Sequence, residues 1–289
     1  MKLSIKAKCS RTRARCGYLL IDESPGLSHE VLLPCFMPVG TNASLKGLLP
    51  CQTSDIGYRL ILANTYHLAL KCSDGLLDLF KQRGCAEMMN WPHALLTDSG
   101  GFQMVSLSEL MSVNDEGVKF KSPFCEKEIF LTPEESINTQ QLKIGTNIIM
   151  QLDDVVPSLT TGDRLKQATF RSLDWLKRCN KSWKNNKQLL PHGGKGHLFP
   201  IVQGGLDKDL REKSAKSIVE LYDCPGYAIG GLSGGEEKSK FCDMVFTSTS
   251  ILPTDKPRYV MGLGYLIDQI MAIALGADMF DCVFPTRTA

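Results

Sequence analysis

HLFPIVQGGLDKDLREKSAKSIVELYDCPGYAIGGLS, residues 197–233, holds two apolar runs separated by a charged, helix-like stretch. The runs HLFPIVQGG (197–205) and GYAIGGLS (226–233) each end in glycine or polar residues. Short continuous apolar runs fit strands buried on both faces, as in parallel sheets. DLREKSAKSIVELY (209–222) between them reads as an amphipathic helix leading into the second strand. Strand, helix and strand in this order make a βα unit.

The same pattern extends in both directions. PCFMPVGT (34–41), LILANTY (60–66), ALLTDSGG (94–101), NIIMQLDD (147–154), RYVMGLG (258–264) and MFDCVFPT (279–286) are further runs of this kind. Eight strands alternating with helices predict an α/β protein with a (β/α)8 TIM barrel, and 289 residues suit one such barrel. Thr132-Pro133-Glu134-Glu135 reads as an N-cap, a proline at the first helical position and a capping-box glutamate. That helix is predicted to stop at Gly145. Leu165, Thr169, Leu173 and Leu176 form one apolar helix stripe. KSWKNNKQLLPHGGKGH (181–197) reads as an exposed loop, with His192 and His197 as solvated loop histidines. No internal repeat or linker divides the chain, so residues 1–289 form a single domain.

Hydrophobic residues make up 43% and charged residues 22% of the chain, which excludes disordered and fibrous classes. No apolar run approaches the ~20 residues that span a bilayer. The net charge of +2 leaves nucleic-acid binding to a local patch. The 11 cysteines often lie in apolar surroundings, as in LPCFM (33–37) and FDCVF (280–284). That pattern fits buried thiols in a reducing compartment, and none of the spacings is that of a zinc finger. Lys2, Lys6, Lys8, Arg11, Arg13 and Arg15 occur near the start without an acid. Mitochondrial targeting segments share this composition, but the chain runs on through CGYLLIDE (16–23) without a cleavage-like region. A basic hairpin strand is the simpler reading.

In a barrel, active groups collect where strands end. Three of the predicted strand ends carry carboxylates: Asp98 after the third, Asp153 and Asp154 after the fourth, and Asp281 at the eighth. A single Asp after a strand ordinarily serves a turn or a helix cap. Three at one barrel mouth favour a shared site. Glycine pairs at 100–101, 204–205 and 230–231 let a planar ligand approach backbone N–H groups closely. GGLSGGE (230–236) resembles a phosphate loop but lacks its Lys-Ser/Thr ending. Two carboxylates around a planar polar ligand can carry out a retaining displacement at a sugar anomeric carbon.

TDSGGFQ (97–103), MQLDD (150–154), VQGG (202–205), AIGGLSGGE (228–236), YVMGLGY (259–265) and MFDCVFPTR (279–287) closely resemble the tRNA-guanine transglycosylases. FMPVGT (36–41) and NTYHL (64–68) belong to the same pattern, and the resemblance covers nearly the whole chain in order. It implies the (β/α)8 fold and exchange of guanine at the wobble position (34) of GUN-anticodon tRNAs (Asp, Asn, His, Tyr) for a 7-deazaguanine base, through a covalent ribosyl-enzyme. By the same resemblance Asp281 is the nucleophile and Asp98 the proton acceptor. Asp153 accepts from the base's N–H edge, Gln203 and the Gly231 N–H face its carbonyl, and Phe102 and Met261 sandwich the ring. Ser99, Gly100, Gly101, Gly230 and Gly234 complete the substrate-binding set. The implied RNA-binding set is Gly262, Leu263, Gly264, Tyr265, Leu266, Ile267 and Asp268, with Thr286, Arg287, Thr288 and Ala289. Gly234 and Val155 stand where the bacterial pattern has a bulkier residue and a cysteine, which implies the eukaryotic catalytic type and queuine as the incoming base.

The family continues past PTRTA (285–289) with a helix and a zinc subdomain of three cysteines and a histidine. The chain is therefore expected to be a C-terminally truncated form, with no cofactor or metal of its own and zinc only on the missing segment. The implied partners are the tRNA anticodon loop, queuine or guanine, and a homologous non-catalytic subunit in a heterodimer. The implied location is cytoplasmic, with peripheral association at the mitochondrial outer membrane. An inactive truncated isoform, a non-catalytic accessory subunit and a generic barrel glycosidase are the alternatives. The presence of both Asp98 and Asp281 disfavours the accessory subunit.

Overall fold

The computed structural model describes residues 1–24, 27–41, 43–71, 83–101, 111–121, 128–186 and 196–288. Three strands, β1 (Lys2–Lys8), β2 (Arg15–Ser24) and β3 (Leu27–Leu33), form an antiparallel sheet in that order. The basic start of the chain is thus a hairpin strand, paired with β2 from Lys2↔Leu20 to Lys8↔Arg15.

The barrel follows. Its strands are β4 (Cys35–Gly40), β5 (Leu60–Ala63) and β6 (Ala94–Thr97). A second antiparallel sheet comes next: β7 (Met111–Val113), β8 (Val118–Lys121) and β9 (Glu128–Leu131). The barrel resumes with β10 (Ile148–Met150), β11 (His197–Phe199), β12 (Ile201–Val202), β13 (Tyr227–Ile229), β14 (Arg258–Val260) and β15 (Met279–Cys282). All eight predicted runs contribute strand, and every pairing among them is parallel.

The sheet order is β11-β10-β6-β5-β4-β15-β14-β13-β12. Its two ends, β11 and β12, are halves of one segment separated by Pro200, so the sheet closes on itself. Pro200 has no N–H, but its carbonyl accepts from Ala228 N at 2.8 Å. The Ile201 N–H is satisfied by the Gln151 side chain, whose Oε1 lies 2.8 Å away. The other end of that amide donates to Ser172 O at 3.0 Å.

Helices described between the strands are α1 (Pro50–Asp55), α2 (Thr65–Lys71), α3 (Cys85–Met88), α4 (Pro133–Asn138), α5 (Gly162–Asn186), α6 (Lys208–Leu221), α7 (Lys238–Ile251), α8 (Leu266–Ala274) and α9 (Phe284–Thr288). The predicted capping box starts α4: Thr132 Oγ1 accepts from Glu135 N, and Glu135 Oε2 accepts from Thr132 N. The helix continues as a π-helical turn, Thr139–Ile144, and ends at left-handed Gly145. The predicted stripe of Leu165, Thr169, Leu173 and Leu176 is the buried face of α5.

The loop predicted over 181–197 is corrected at both ends. Residues 181–186 are the last turns of α5, and His197 begins β11. His197 is buried, with Nε2 3.3 Å from Asp22 O. The polar composition of the segment hid a strand start whose ring packs under the N-terminal sheet. His192 lies outside the described residues.

Inside the barrel, Met37, Leu60, Leu62, Leu96, Met150, Phe199, Ile201 and Tyr259 form one apolar cluster with Leu19, Ile21, Val31 and Leu33 of the first sheet. That sheet therefore plugs the end where the strands begin. Each fully buried Leu or Ile there contributes about 1.5–3 kcal/mol. Arg15 fastens the plug through Nε and Nη2 to the two oxygens of buried Asp278, at 2.8 and 2.6 Å. Among the described residues, the end where the strands finish carries no such plug. The nine described cysteines are free thiols, and no described helix is long and apolar enough to cross a membrane.

Replacing Gln151 by Leu keeps the bulk but leaves the Ile201 N–H buried without an acceptor. The expected loss of stability is about 1–3 kcal/mol, read as a lower urea midpoint with an unchanged slope. An unchanged midpoint would show that closure does not depend on this amide.

Candidate active site

Three carboxylates stand at the open mouth or just behind it, each in a different environment. Asp281 lies in β15 and is half-buried. Its Oδ1 accepts from Tyr259 Oη at 2.5 Å and from Gly262 N at 2.8 Å. Its Oδ2 has no hydrogen-bond partner among the described residues. Burial raises its pKa above the ordinary Asp range, while the Gly262 N–H and the Tyr259 hydroxyl pull it back down. The geometry fixes one oxygen and leaves the other available as a nucleophile.

Asp98 follows β6 and is held from the neighbouring strand end. Asn64 Nδ2 donates to Oδ2 at 2.6 Å, and Thr65 N donates to Oδ1 at 3.0 Å. Thr65 Oγ1 also donates to the Asp98 carbonyl at 2.5 Å. Tyr259 feels both acids: burial, then the charge of Asp281, and more weakly that of Asp98, raise its phenol well above the usual value.

Asp153 is buried. Gln203 Nε2 donates to its Oδ2 at 2.6 Å, and Ser99 Oγ lies 3.4 Å from Oδ1. Burial is the main reason its pKa is pushed up to about 6; the Gln203 hydrogen bond lowers it and Asp154 raises it. Gly101 comes so close that a Cβ there would sit 3.2 Å from the Asp153 carbonyl oxygen.

Asp154 has a different job. Arg164 donates to both of its oxygens at 2.6 and 2.8 Å, and Arg171 Nη1 donates to Oδ2 at 2.6 Å. Arg171 also reaches Asp115 at 3.0 Å, beside the β7–β8 turn. Asp154 is thus a buried anchor, and of this adjacent pair Asp153 alone is left for the mouth.

The glycine loops complete the wall. Gly231 has φ +69°, and a Cβ there would fall 2.4 Å from Gln203 Oε1. Met261 Sδ would lie 3.6 Å from a Cβ on Gly230, which places the thioether against that loop. Glu236 accepts from Ser233 N at 2.5 Å and Gly234 N at 2.9 Å. Its carboxylate occupies the place an incoming phosphate would need, so GGLSGGE is not a phosphate loop. A Cβ on Gly234 would sit 2.7 Å from Ser158 Oγ. The room gained by lacking a side chain is therefore shared with Ser158.

Phe102 and Ala289 lie outside the described residues. The RNA-binding set divides by exposure. Tyr265, Leu266 and Ile267 are exposed, with the Tyr265 ring 4.8 Å from that of Phe284. Gly262 is bonded to Asp281, Leu263 is core, and Gly264 packs against Cys282. Asp268 is buried and bonded to Lys238. Thr286 Oγ1 donates to Val283 O at 3.0 Å, Arg287 is exposed on α9, and Thr288 is the last residue of that helix. No group of three or more His, Cys, Asp or Glu among the described residues can hold a metal ion. Sequence reasoning missed Asn64, Thr65 and Tyr259, the groups that orient the two acids. Asn64, Thr65 and Tyr259 were visible within NTYHL and YVMGLGY, but nothing in their spacing said which carboxylate each would hold.

The family model described as queuine tRNA-ribosyltransferase matches residues 9–289. The chain is 49% identical over 289 residues to the queuine tRNA-ribosyltransferase catalytic subunit of Schizosaccharomyces pombe, aligning all of this chain with 68% of that protein. It is 47% identical over 264 residues to the catalytic subunit of that name in Caenorhabditis elegans, aligning 91% of this chain with 63% of that one. It is 43% identical over 290 residues to the queuine tRNA-ribosyltransferase of Thermoanaerobacter sp., covering 73% of its length.

Carboxyl-carbon NMR should find Asp153 titrating at about 6. A donor to a carboxylate favours the charged form, so removing it with Gln203→Met should move the midpoint upward. A midpoint near 4, or one unmoved by the substitution, would contradict this geometry.

Proposed function

The chain belongs to the queuine tRNA-ribosyltransferase family, and on that premise we propose that its open barrel mouth exchanges the purine base of a tRNA wobble nucleotide without cutting the backbone. The supporting observation is the asymmetry of Asp281: Oδ1 is tied to Tyr259 and Gly262, while Oδ2 has no hydrogen-bond partner among the described residues.

The target nucleotide must leave its stack to reach the mouth. Asp281 Oδ2 attacks ribose C1′, the C1′–N9 bond breaks, and guanine departs with the bond's electron pair and takes a proton from solvent, to which Asp98 returns the one it later accepts. The product is a covalent ribosyl-Asp281 ester. The incoming 7-deazaguanine loses its N9 proton to Asp98 and attacks C1′, and Asp281 leaves as carboxylate. Two displacements retain the anomeric configuration.

Asp153, when ionised, is an acceptor only and suits the N–H edge of the base; Gln203 supplies an amide donor. Gly231 presents its backbone N–H to the base carbonyl. Met261 stacks on one ring face, and Phe102 is assigned the other. Queuine as the incoming base rests on Gly234, with Ser158 the neighbour its 7-substituent meets. The exposed Tyr265 and Arg287 belong to the anticodon-loop surface, where a guanidinium holds phosphate. A homologous non-catalytic subunit and a cytoplasmic location, with peripheral association at the mitochondrial outer membrane, complete the reading.

Radiolabelled guanine should enter tRNA when this chain is supplied, assayed with and without the homologous subunit. Asp281→Asn should lower exchange by at least about a thousandfold, because a neutral amide is a poor nucleophile. Exchange that persists in Asp281→Asn would remove Asp281 from the role. No exchange by the unmodified chain in either condition would overturn the activity.

A further inference from the structure

Arg211, in the first turn of α6, is fully buried yet hydrogen-bonds to no carboxylate among the described residues. Its Nε and Nη2 donate to Gly205 O at 3.1 and 2.7 Å, and Nη2 donates to Gly230 O at 3.2 Å. Nη1 is buried without a partner among the described residues. One guanidinium therefore ties together the glycine loops that follow barrel strands β12 and β13. Burial lowers its pKa to about 10, with only the charge of Glu236 opposing. Burying a charge against two neutral carbonyls, with one nitrogen left without a partner among the described residues, costs stability.

The Gly230 carbonyl shares a peptide plane with the Gly231 N–H. In a trans peptide the two point in opposite directions. With the carbonyl held on the α6 side, the N–H is turned the other way. It makes no hydrogen bond among the described residues, and Gln203, the partner of Asp153, lies against the same glycine. We infer that Arg211 is a positioning residue for base selection: it locks the Gly230–Gly231 peptide so that the Gly231 N–H meets the purine's ring carbonyl. This rests on the proposed binding of the base at Gly231. Lysine cannot replace the arginine, because a single ammonium lacks the planar fork that spans both loops.

The test compares guanine with 2-aminopurine, which keeps the 2-amino group and lacks both the carbonyl and the N1–H that faces Asp153, and it reads the change in the ratio of the two affinities. Binding of each to the full chain and to Arg211→Lys is measured by calorimetry, with thermal unfolding as the check on fold. The unmodified chain should prefer guanine. Arg211→Lys should reduce guanine affinity about tenfold, the worth of one well-placed hydrogen bond, and leave 2-aminopurine unchanged. Arg211→Gln, whose amide can hold only one of the two carbonyls, is the second variant if the lysine form does not fold. A guanine to 2-aminopurine affinity ratio unchanged from the unmodified chain, in a folded variant, overturns the inference alone. Equal loss for both bases, or failure of both variants to fold, assigns Arg211 to the scaffold and overturns it too. No guanine preference in the unmodified chain overturns the proposed base site itself.

Discussion

Closure of the sheet through residues 197–202 is the constraint on which the rest of the molecule depends. A single extended segment pairs with β10 before Pro200 and with β13 after it. The proline interrupts the ladder, and the Gln151 side chain supplies the acceptor that Ile201 needs. Gln151 lies two residues before Asp153, and Ile201 lies two before Gln203. The contact that closes the barrel therefore also sets the register of the Asp153–Gln203 pair. With the strand starts plugged by the N-terminal sheet, chemistry is confined to the other end.

At that end the protein gives similar carboxylates different tasks through their surroundings, the usual route to divided acid–base roles. Asp154 is neutralised by two arginines and serves the scaffold. Asp153 is buried with amide and hydroxyl partners, which suits an acceptor of hydrogen bonds from a bound base. Asp281 is held by one oxygen only, and Asp98 is oriented by groups from the neighbouring strand end. The loops between these groups hold glycines at positions where side chains would collide with Gln203 or Ser158.

The barrel was legible because parallel strands buried on both faces leave unbroken apolar runs, and because Thr132–Glu135 spells out a helix start. Positions 98, 153 and 281 were legible as strand ends. Several features were not. Met111–Val113, Val118–Lys121 and Glu128–Leu131 are short strands with solvent on one side, so no long apolar run marks them. His197 sits at the end of a polar segment, and only tertiary contact with Asp22 reveals its burial. Asp153 and Asp154 are adjacent and identical, and the partners that divide them lie on α5 and just after β12. Arg211 reads as one charge among many on an amphipathic helix, yet it faces inward because two glycine loops leave room for it.

The central claim is that Asp281 carries the ribosyl group. Incubating the chain with tRNA, quenching in denaturant, trimming the RNA with nuclease and mapping the adduct by mass spectrometry tests it directly. The ribosyl modification should fall on the peptide spanning Met279–Arg287, at Asp281. Modification at Asp98 or Asp153, or base exchange with no adduct on any carboxylate, would contradict it.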